Sequence, residues 1–106
     1  CLPDAGEISE GKTADLLLID GNAANPWATL THADYADVML VIADGMPRYG
    51  DVAFQPVFDA MKIPYQTILV KGARKIIAGD ILGLQKRVRH AVKFKKELDF
   101  LPIEAA

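Results

Sequence analysis

The sequence predicts a small α+β domain that is mostly β, with flanking helices. Two observations predict this class: short apolar runs separated by glycine-containing turns, and one longer helix-periodic segment near the C-terminal end. A chain of 106 residues is long enough for one modest hydrophobic core. We therefore expect residues 1–106 to form a single domain. Strands, hairpins and a short helix are expected in residues 1–78, and an amphipathic helix over residues 79–101.

The first predicted strand covers residues 15–20, an apolar run that is bounded by two aspartates. Four consecutive aliphatic residues are typical of a strand that is buried on both faces. A helical turn is expected over residues 27–33, because Asn25 can cap it and Pro26 suits the first helical position. Trp27 is then expected to be anchored in the core.

Residues 37–43 are the strongest strand candidate, because they combine β-branched and large apolar side chains. Residues 44–45 are Asp and Gly, a pair that tolerates positive φ at both positions and therefore predicts a two-residue hairpin turn. The returning strand is expected over residues 46–49. Pro47 within it favours an edge position in the sheet, since proline donates no hydrogen bond to a neighbouring strand.

A short helix and a second hairpin are expected next. Asp51 is the predicted N-cap of the helix, and residues 63–64, Ile and Pro, end it. Its apolar positions are Val52, Phe54, Val57, Phe58 and Met61. The second hairpin joins residues 66–71 to residues 74–78, with Gly72 supplying the first positive φ of a type II′ turn.

The final helix is predicted to begin at residues 79–80 and to be closed by Pro102. Its apolar residues recur at helical spacing and form one stripe: Ile81, Leu84, Val88, Ala91, Val92 and Leu98. Six cations also lie in residues 86–96, with Phe94 among them, and such a cluster can bind phosphates or acidic surfaces. A solvated basic face of an ordinary amphipathic helix is the preferred interpretation, and nucleic acid is not the expected partner.

Composition and charge exclude several classes of protein. The formal net charge is −2, but residues 1–60 carry ten acidic and two basic side chains, whereas residues 61–106 carry four acidic and ten basic ones. No apolar run approaches the roughly 20 residues of a membrane span, and the start shows no secretory signal. One cysteine cannot form an internal disulfide and fits a reducing, cytoplasmic compartment. Two histidines and one cysteine cannot supply a four-ligand zinc site.

The individual polar residues give no strong indication of a catalytic or binding role. His32 stands two positions before Asp34, which could orient it as a general base, but an exposed loop position is the preferred interpretation. His90 is expected on the solvated side of the final helix, and Cys1 is expected to be an unreactive thiol. Asp15 is expected to bond backbone amides beside the first strand.

Three segments resemble metal-dependent amidohydrolases, in the order in which that superfamily has them. Residues 6–20 (GEISEGKTADLLLID) resemble the stretch where such chains leave the catalytic barrel and enter a small β-rich domain. Residues 41–51 (VIADGMPRYGD) resemble a hairpin near the C-terminus of the superfamily. Residues 70–77 (VKGARKII) resemble a strand pair of the cytosine-deaminase and chlorohydrolase branch. The resemblance covers about residues 1–80.

The resemblance implies a small β-sandwich-like composite domain whose catalytic barrel precedes Cys1 and is absent here. The chain does not begin with methionine, so we expect a fragment; a trimmed small domain or a separate non-catalytic subunit are the alternatives. The implied partners are the parent TIM-barrel domain and its N-terminal strands, and a homodimer is a further possibility. The parent would hydrolyse a carbon–nitrogen bond of a cyclic amide or amino-heterocycle with a metal-activated water, using zinc or iron in the barrel. No catalytic, cofactor-binding or metal-binding residue is implied within this chain.

Overall fold

A computed structural model describes residues 3–93 and 103–106 of the chain. The described residues form one antiparallel sheet with three α-helices, which confirms the predicted α+β, mostly β class. The six strands are β1 (Leu16–Ile19), β2 (Val38–Ala43), β3 (Met46–Asp51), β4 (Tyr65–Val70), β5 (Ala73–Ala78) and β6 (Ile103–Ala105). The helices are α1 (Pro26–His32), α2 (Gln55–Ala60) and α3 (Ile81–Val92). Two 3₁₀ turns, Tyr35–Asp37 and Val52–Phe54, precede β2 and α2.

The order of strands in the sheet is β1-β2-β3-β5-β4-β6. The two predicted hairpins, β2–β3 and β4–β5, therefore lie side by side, with β3 paired to β5. β1 and β6 form the two edges. The predicted element order contained every strand except β6, a three-residue segment that pairs with β4.

The turn of the first hairpin is confirmed. Asp44 and Gly45 have φ of 52° and 73°, the left-handed values that a type I′ turn requires at both positions. The edge position that was predicted from Pro47 is wrong, because β3 lies between β2 and β5 and Pro47 is buried. The proline is tolerated because β3 pairs with β5 only from Tyr49 onward, and the ladder to β2 is irregular beside it.

The second hairpin turns one residue earlier than expected. Its two turn residues are Lys71 and Gly72, with φ of 50° and 79°. Both values are positive, so the turn resembles type I′ and Gly72 is its second residue, which corrects the predicted type II′ turn. Lys71 adopts a left-handed conformation that usually favours glycine or asparagine.

The helix boundaries follow the predicted caps. Asn25 caps α1 by accepting a hydrogen bond from the Ala28 amide at 3.3 Å, and Pro26 takes the first helical position. Asp80 caps α3 by accepting from the Gly83 amide at 2.9 Å. α3 ends at Val92, where Lys93 turns left-handed with φ of 60°. Residues 94–102, which include Leu98 and Pro102 of the predicted helix, lie outside the described residues.

The buried apolar core of the described residues is small. It consists of Phe58, Ile68, Val70 and Ile76. Phe58 comes from α2, and its ring meets the Tyr65 ring edge-on at a centroid distance of 5.6 Å. Such an aromatic pair contributes about 1 kcal/mol beyond the area that it buries. The centre of the molecule is therefore the β3–β5–β4 part of the sheet with α2 packed against it.

One cation, Lys75, is buried within that centre, with 1% of its surface exposed. Its ammonium donates to the carbonyl oxygens of Ala36 and Val38, at 2.7 and 2.9 Å, and to the carboxylate of Asp51. An ammonium has three protons, so all of its hydrogen-bonding capacity is used. The contacts tie β5 to β3 and to the start of β2.

This arrangement corrects the predicted role of Asp51. Asp51 does occupy the position before the Val52–Phe54 turn, but its side chain makes no capping hydrogen bond. The carboxylate binds the buried ammonium of Lys75 instead. Leaving a buried charge without an opposite partner costs more free energy than losing one capping hydrogen bond. The Asp51 carboxylate therefore pairs with Lys75.

We expect the substitution Lys75→Met to lower the free energy of unfolding by about 2–4 kcal/mol, because two carbonyls and a carboxylate lose their donor inside the sheet. Chemical denaturation followed by circular dichroism measures the change. Arg74→Met is the matched control: Arg74 is the exposed neighbour on the same strand, and its loss is expected to change stability by about 0.5 kcal/mol or less. Equal effects of the two substitutions would contradict the role of Lys75.

Candidate functional site

The histidines and the cysteine do not come together in a catalytic arrangement. His32 ends α1 and is exposed, and its Nδ1 lies 2.9 Å from the Ala28 carbonyl oxygen of its own helix. Asp34 binds Lys71 rather than His32. His90 is exposed on α3, and Cys1 lies outside the described residues. Within residues 3–93 and 103–106, no group of three or more His, Cys, Asp and Glu side chains is placed to hold a metal ion.

The segment that carries the sequence motif closes the first hairpin. The Asp15 carboxylate accepts a hydrogen bond from the Asp44 amide at 2.7 Å. This confirms the prediction that Asp15 bonds a backbone amide beside the first strand. One residue earlier, the Ala14 carbonyl accepts from the Gly45 amide at 3.0 Å. Asp15 and Ala14 together therefore fix the β2–β3 turn against the start of β1. The motif is explained by structure and does not need a ligand.

Strand β1 is exposed, which corrects the prediction that it is buried on both faces. The exposed fractions of Leu16, Leu17 and Leu18 are 38%, 55% and 46%. β1 pairs only with β2, so the main chain along its other side has no partner strand among the described residues. An apolar run indicates a strand, but it does not state whether that strand lies in the middle or at the edge of a sheet.

A groove lies between β1 and α1. Its volume is about 290 Å³, and its walls are formed by Leu17 and Ile19 of β1, residues 21–23, and Pro26, Thr29 and Leu30 of α1. Leu30, which lines the groove, is 54% exposed. Trp27 on the same helix is 77% exposed, so its predicted place in the core is wrong. Leu16 and Leu18 alternate with Leu17 along β1, so they lie on the face away from the groove, and Trp27 is not among the residues that line it.

Helix α3 is the second exposed apolar feature. Leu84, Val88 and Val92 recur every four residues and are 47%, 47% and 43% exposed. The cations Lys86, Arg87, Arg89 and Lys93 are exposed on the same helix. Contact with the sheet is made at the first turn, where Gln66 of β4 accepts from the Leu82 amide at 3.0 Å and donates to Asp80 at 2.7 Å. Both the apolar and the basic side chains of α3 are thus available to a partner.

Two of the ionisable groups with shifted pKa values, Asp34 and Tyr49, lie where the Tyr35–Asp37 turn meets the sheet. The Lys71 ammonium, 2.5 Å from the Asp34 carboxylate, holds the pKa of Asp34 below its ordinary value, and the Tyr35 amide adds to the effect. Burial raises the pKa of Tyr49 to about 12, and the nearby Asp51 carboxylate contributes. The Tyr49 hydroxyl donates to the Tyr35 carbonyl at 3.3 Å. The contacts of Asp34 and Tyr49 therefore hold the Tyr35–Asp37 3₁₀ turn against the sheet.

No protein-family model, no curated protein and no solved structure matches this chain. The described helices include none with the length and apolar character that crossing a membrane requires. The site is therefore defined by geometry: an open apolar surface at the β1 edge and an exposed basic helix.

The interaction of Asp15 can be tested by paired substitutions. Asp15→Ala removes the acceptor of the Asp44 amide and is expected to lower the free energy of unfolding by about 1 kcal/mol. Asp15→Asn retains a side-chain oxygen acceptor and is expected to recover most of that loss. Thermal or chemical unfolding measures both variants. If Asn destabilises as much as Ala, the negative charge rather than the hydrogen bond is what matters.

The shifted pKa of Tyr49 predicts a pH dependence at the alkaline end. The phenol ionises near pH 10 in the unfolded chain and near pH 12 in the folded one, so its contribution to stability is complete below pH 10 and is lost as the pH rises from 10 to 12. We expect Tyr49→Phe to make the fall in stability over this range less steep. Unfolding free energies across the range measure it. Parallel profiles for the two proteins would contradict the shift.

Proposed function

We propose that this chain is the non-catalytic, C-terminal β-rich domain of a metal-dependent amidohydrolase of the cytosine-deaminase and chlorohydrolase branch. The parent enzyme would hydrolyse a carbon–nitrogen bond in a cyclic amide or an amino-heterocycle, in the cytoplasm. Its barrel would hold zinc or iron, which supplies a hydroxide nucleophile near neutral pH. The role of the present segment is structural: it pairs with strands that precede the barrel and so completes a composite, sandwich-like domain.

One observation carries the proposal: β1, which follows the amidohydrolase-like motif, is an apolar edge strand with an open main-chain side. Edge strands of independent domains are normally short, charged, bulged or covered, because an open apolar edge pairs with other chains. β1 is short, is flanked by Asp15 and Asp20, and has an irregular register between Leu18 and Ile19, yet the side chains of its three consecutive leucines are exposed. A further strand added at this edge would satisfy the free main-chain groups and cover the leucines.

The charges around β1 favour a strand of different sequence over a second β1. If two β1 strands paired antiparallel about their centre, Asp15 of each would stand opposite Asp20 of the other. Like charges directly across a strand pair are destabilising. A strand without acidic residues at its ends avoids this repulsion. The N-terminal strands of a parent chain are the partner that the proposal assigns to this edge.

The alternative function is a free-standing binding module that uses the basic residues of segment 86–96 for nucleic acid or acidic surfaces. The exposure of Lys86, Arg87, Arg89 and Lys93 favours it, whereas residues 94–96 lie outside the described residues. Its affinity would fall steeply with salt, since phosphate binding by lysine and arginine releases counterions. Unchanged binding after Lys86, Arg87 and Arg89 are replaced by Ala would contradict this alternative.

The coding sequence upstream of Cys1 tests the proposal directly. We expect the reading frame to continue for about 300 residues, the length of a barrel with leading strands, with a His-x-His pair near its start. A start codon immediately before Cys1 would overturn the proposal and favour the binding module. The 106-residue chain itself, supplied with zinc, is expected to leave cyclic amides and amino-heterocycles unhydrolysed, and activity in that assay would show that the chain is catalytic.

A substitution at the β1 edge tests the structural role separately. In the isolated chain, Leu18→Lys is expected to change stability by less than about 0.5 kcal/mol, because the side chain is already half exposed. In the parent enzyme, the same change places a charge in a covered sheet and is expected to lower stability by about 2 kcal/mol. Val52→Lys, at a residue that is 39% exposed and lies in the 3₁₀ turn after β3, is the control. Equal effects of Leu18→Lys in both proteins would show that the edge stays uncovered.

A further inference from the structure

We infer that α3 of one copy of the chain docks into the groove between β1 and α1 of a second copy, and that two such contacts close a symmetric dimer. The inference is independent of the proposed function. It uses the face of β1 that carries Leu17 and Ile19, whereas strand pairing uses the main-chain edge of β1. Both interactions can therefore occur in one molecule.

The shapes of the two surfaces match a known mode of recognition. α3 presents Leu84, Val88 and Val92 at every fourth position, the spacing with which an amphipathic helix fills an apolar groove. The groove of about 290 Å³ is lined by apolar residues of β1 and α1 together with the polar side chains of Asn22 and Thr29. Neither surface is covered within the described chain, because the apolar residues on both sides are about half exposed.

The charges of the two surfaces are opposite. Residues 13–47, which contain β1, α1 and β2, carry five aspartates and no lysine or arginine. Residues 81–93, which contain α3, carry four lysines and arginines and no acidic residue. Asp34 is paired with Lys71 and Arg87 with Asp80 within the chain. The charges assigned to the contact are therefore Asp20, which stands between the groove residues Ile19 and Gly21, and Lys86 and Arg89 of α3. Complementary charge of this kind favours association and fixes its orientation.

A two-fold arrangement brings together both surfaces of each copy. A specific interface of standard size buries about 800 Å² on each partner. Each copy offers one helix and one groove, so a two-fold arrangement uses every helix and every groove. Such a dimer needs no further partner and does not grow into larger assemblies.

The experiment is sedimentation equilibrium of the 106-residue chain over a concentration series at low and high salt. We expect a species of twice the 11.5 kDa monomer mass, with a dissociation constant that rises with salt. A monomer at every concentration and salt would overturn the inference.

Charge reversal distinguishes this contact from any other dimer. Asp20→Lys on the groove side, and Lys86→Glu with Arg89→Glu on the helix side, are each expected to weaken dimerisation by about tenfold or more. Combining the substitutions in one chain restores opposite charges and is expected to recover much of the affinity. Arg74→Glu reverses an exposed cation outside α3 and serves as the control. Circular dichroism checks that each variant is folded.

Two other outcomes of these experiments would contradict the proposed dimer. A dimer that tolerates both charge reversals would use another surface. A chain that remains monomeric and binds vesicles of anionic lipid, or an RNA oligonucleotide, through α3 would show that the basic helix serves a phosphate-bearing partner instead. The Asp20→Lys variant separates these cases, since the groove has no part in binding to lipid or RNA.

Discussion

The buried ammonium of Lys75 is the interaction on which the rest of the sheet depends. It lies where the two hairpins meet, and it reaches the carboxylate of Asp51 and two carbonyls at the start of β2. Burying a charge is unfavourable unless every proton finds an acceptor, and here every proton does. The pairing of β3 with β5, the turn that precedes β2 and the path of the chain into α2 all converge on this one group.

The molecule is well packed at that centre and open at its periphery. Five apolar side chains of the described residues, Pro47 among them, are fully buried, whereas twelve large apolar side chains are substantially exposed. The imbalance is explained if β1, α1 and α3 present surfaces that other protein covers. A parent enzyme's strands and a second copy of the chain can cover different parts of these surfaces, because one pairing uses main-chain groups and the other uses side chains.

Local signals predicted the elements well because they act over a few residues. The Asp44–Gly45 turn, the Asn25 cap and both hairpins were predicted from residue types whose backbone preferences need no distant partner. Strand β6 escaped prediction because three residues carry no periodicity that stands out from a loop. The second turn was displaced by one residue since lysine rarely takes a positive φ, so the sequence favoured Gly72 as the first turn residue.

The sequence by itself determined the class of the fold, the order of β1 to β5 along the chain, the Asn25 cap and the first turn. Only the tertiary structure decided which strands are central, since the order β1-β2-β3-β5-β4-β6 puts an apolar strand at an edge and a proline-containing strand inside. It also decided that Trp27 is exposed and that Asp51 binds Lys75. The physical reason is that burial and ion pairing depend on residues far apart in the chain, whereas turns and caps depend on neighbours.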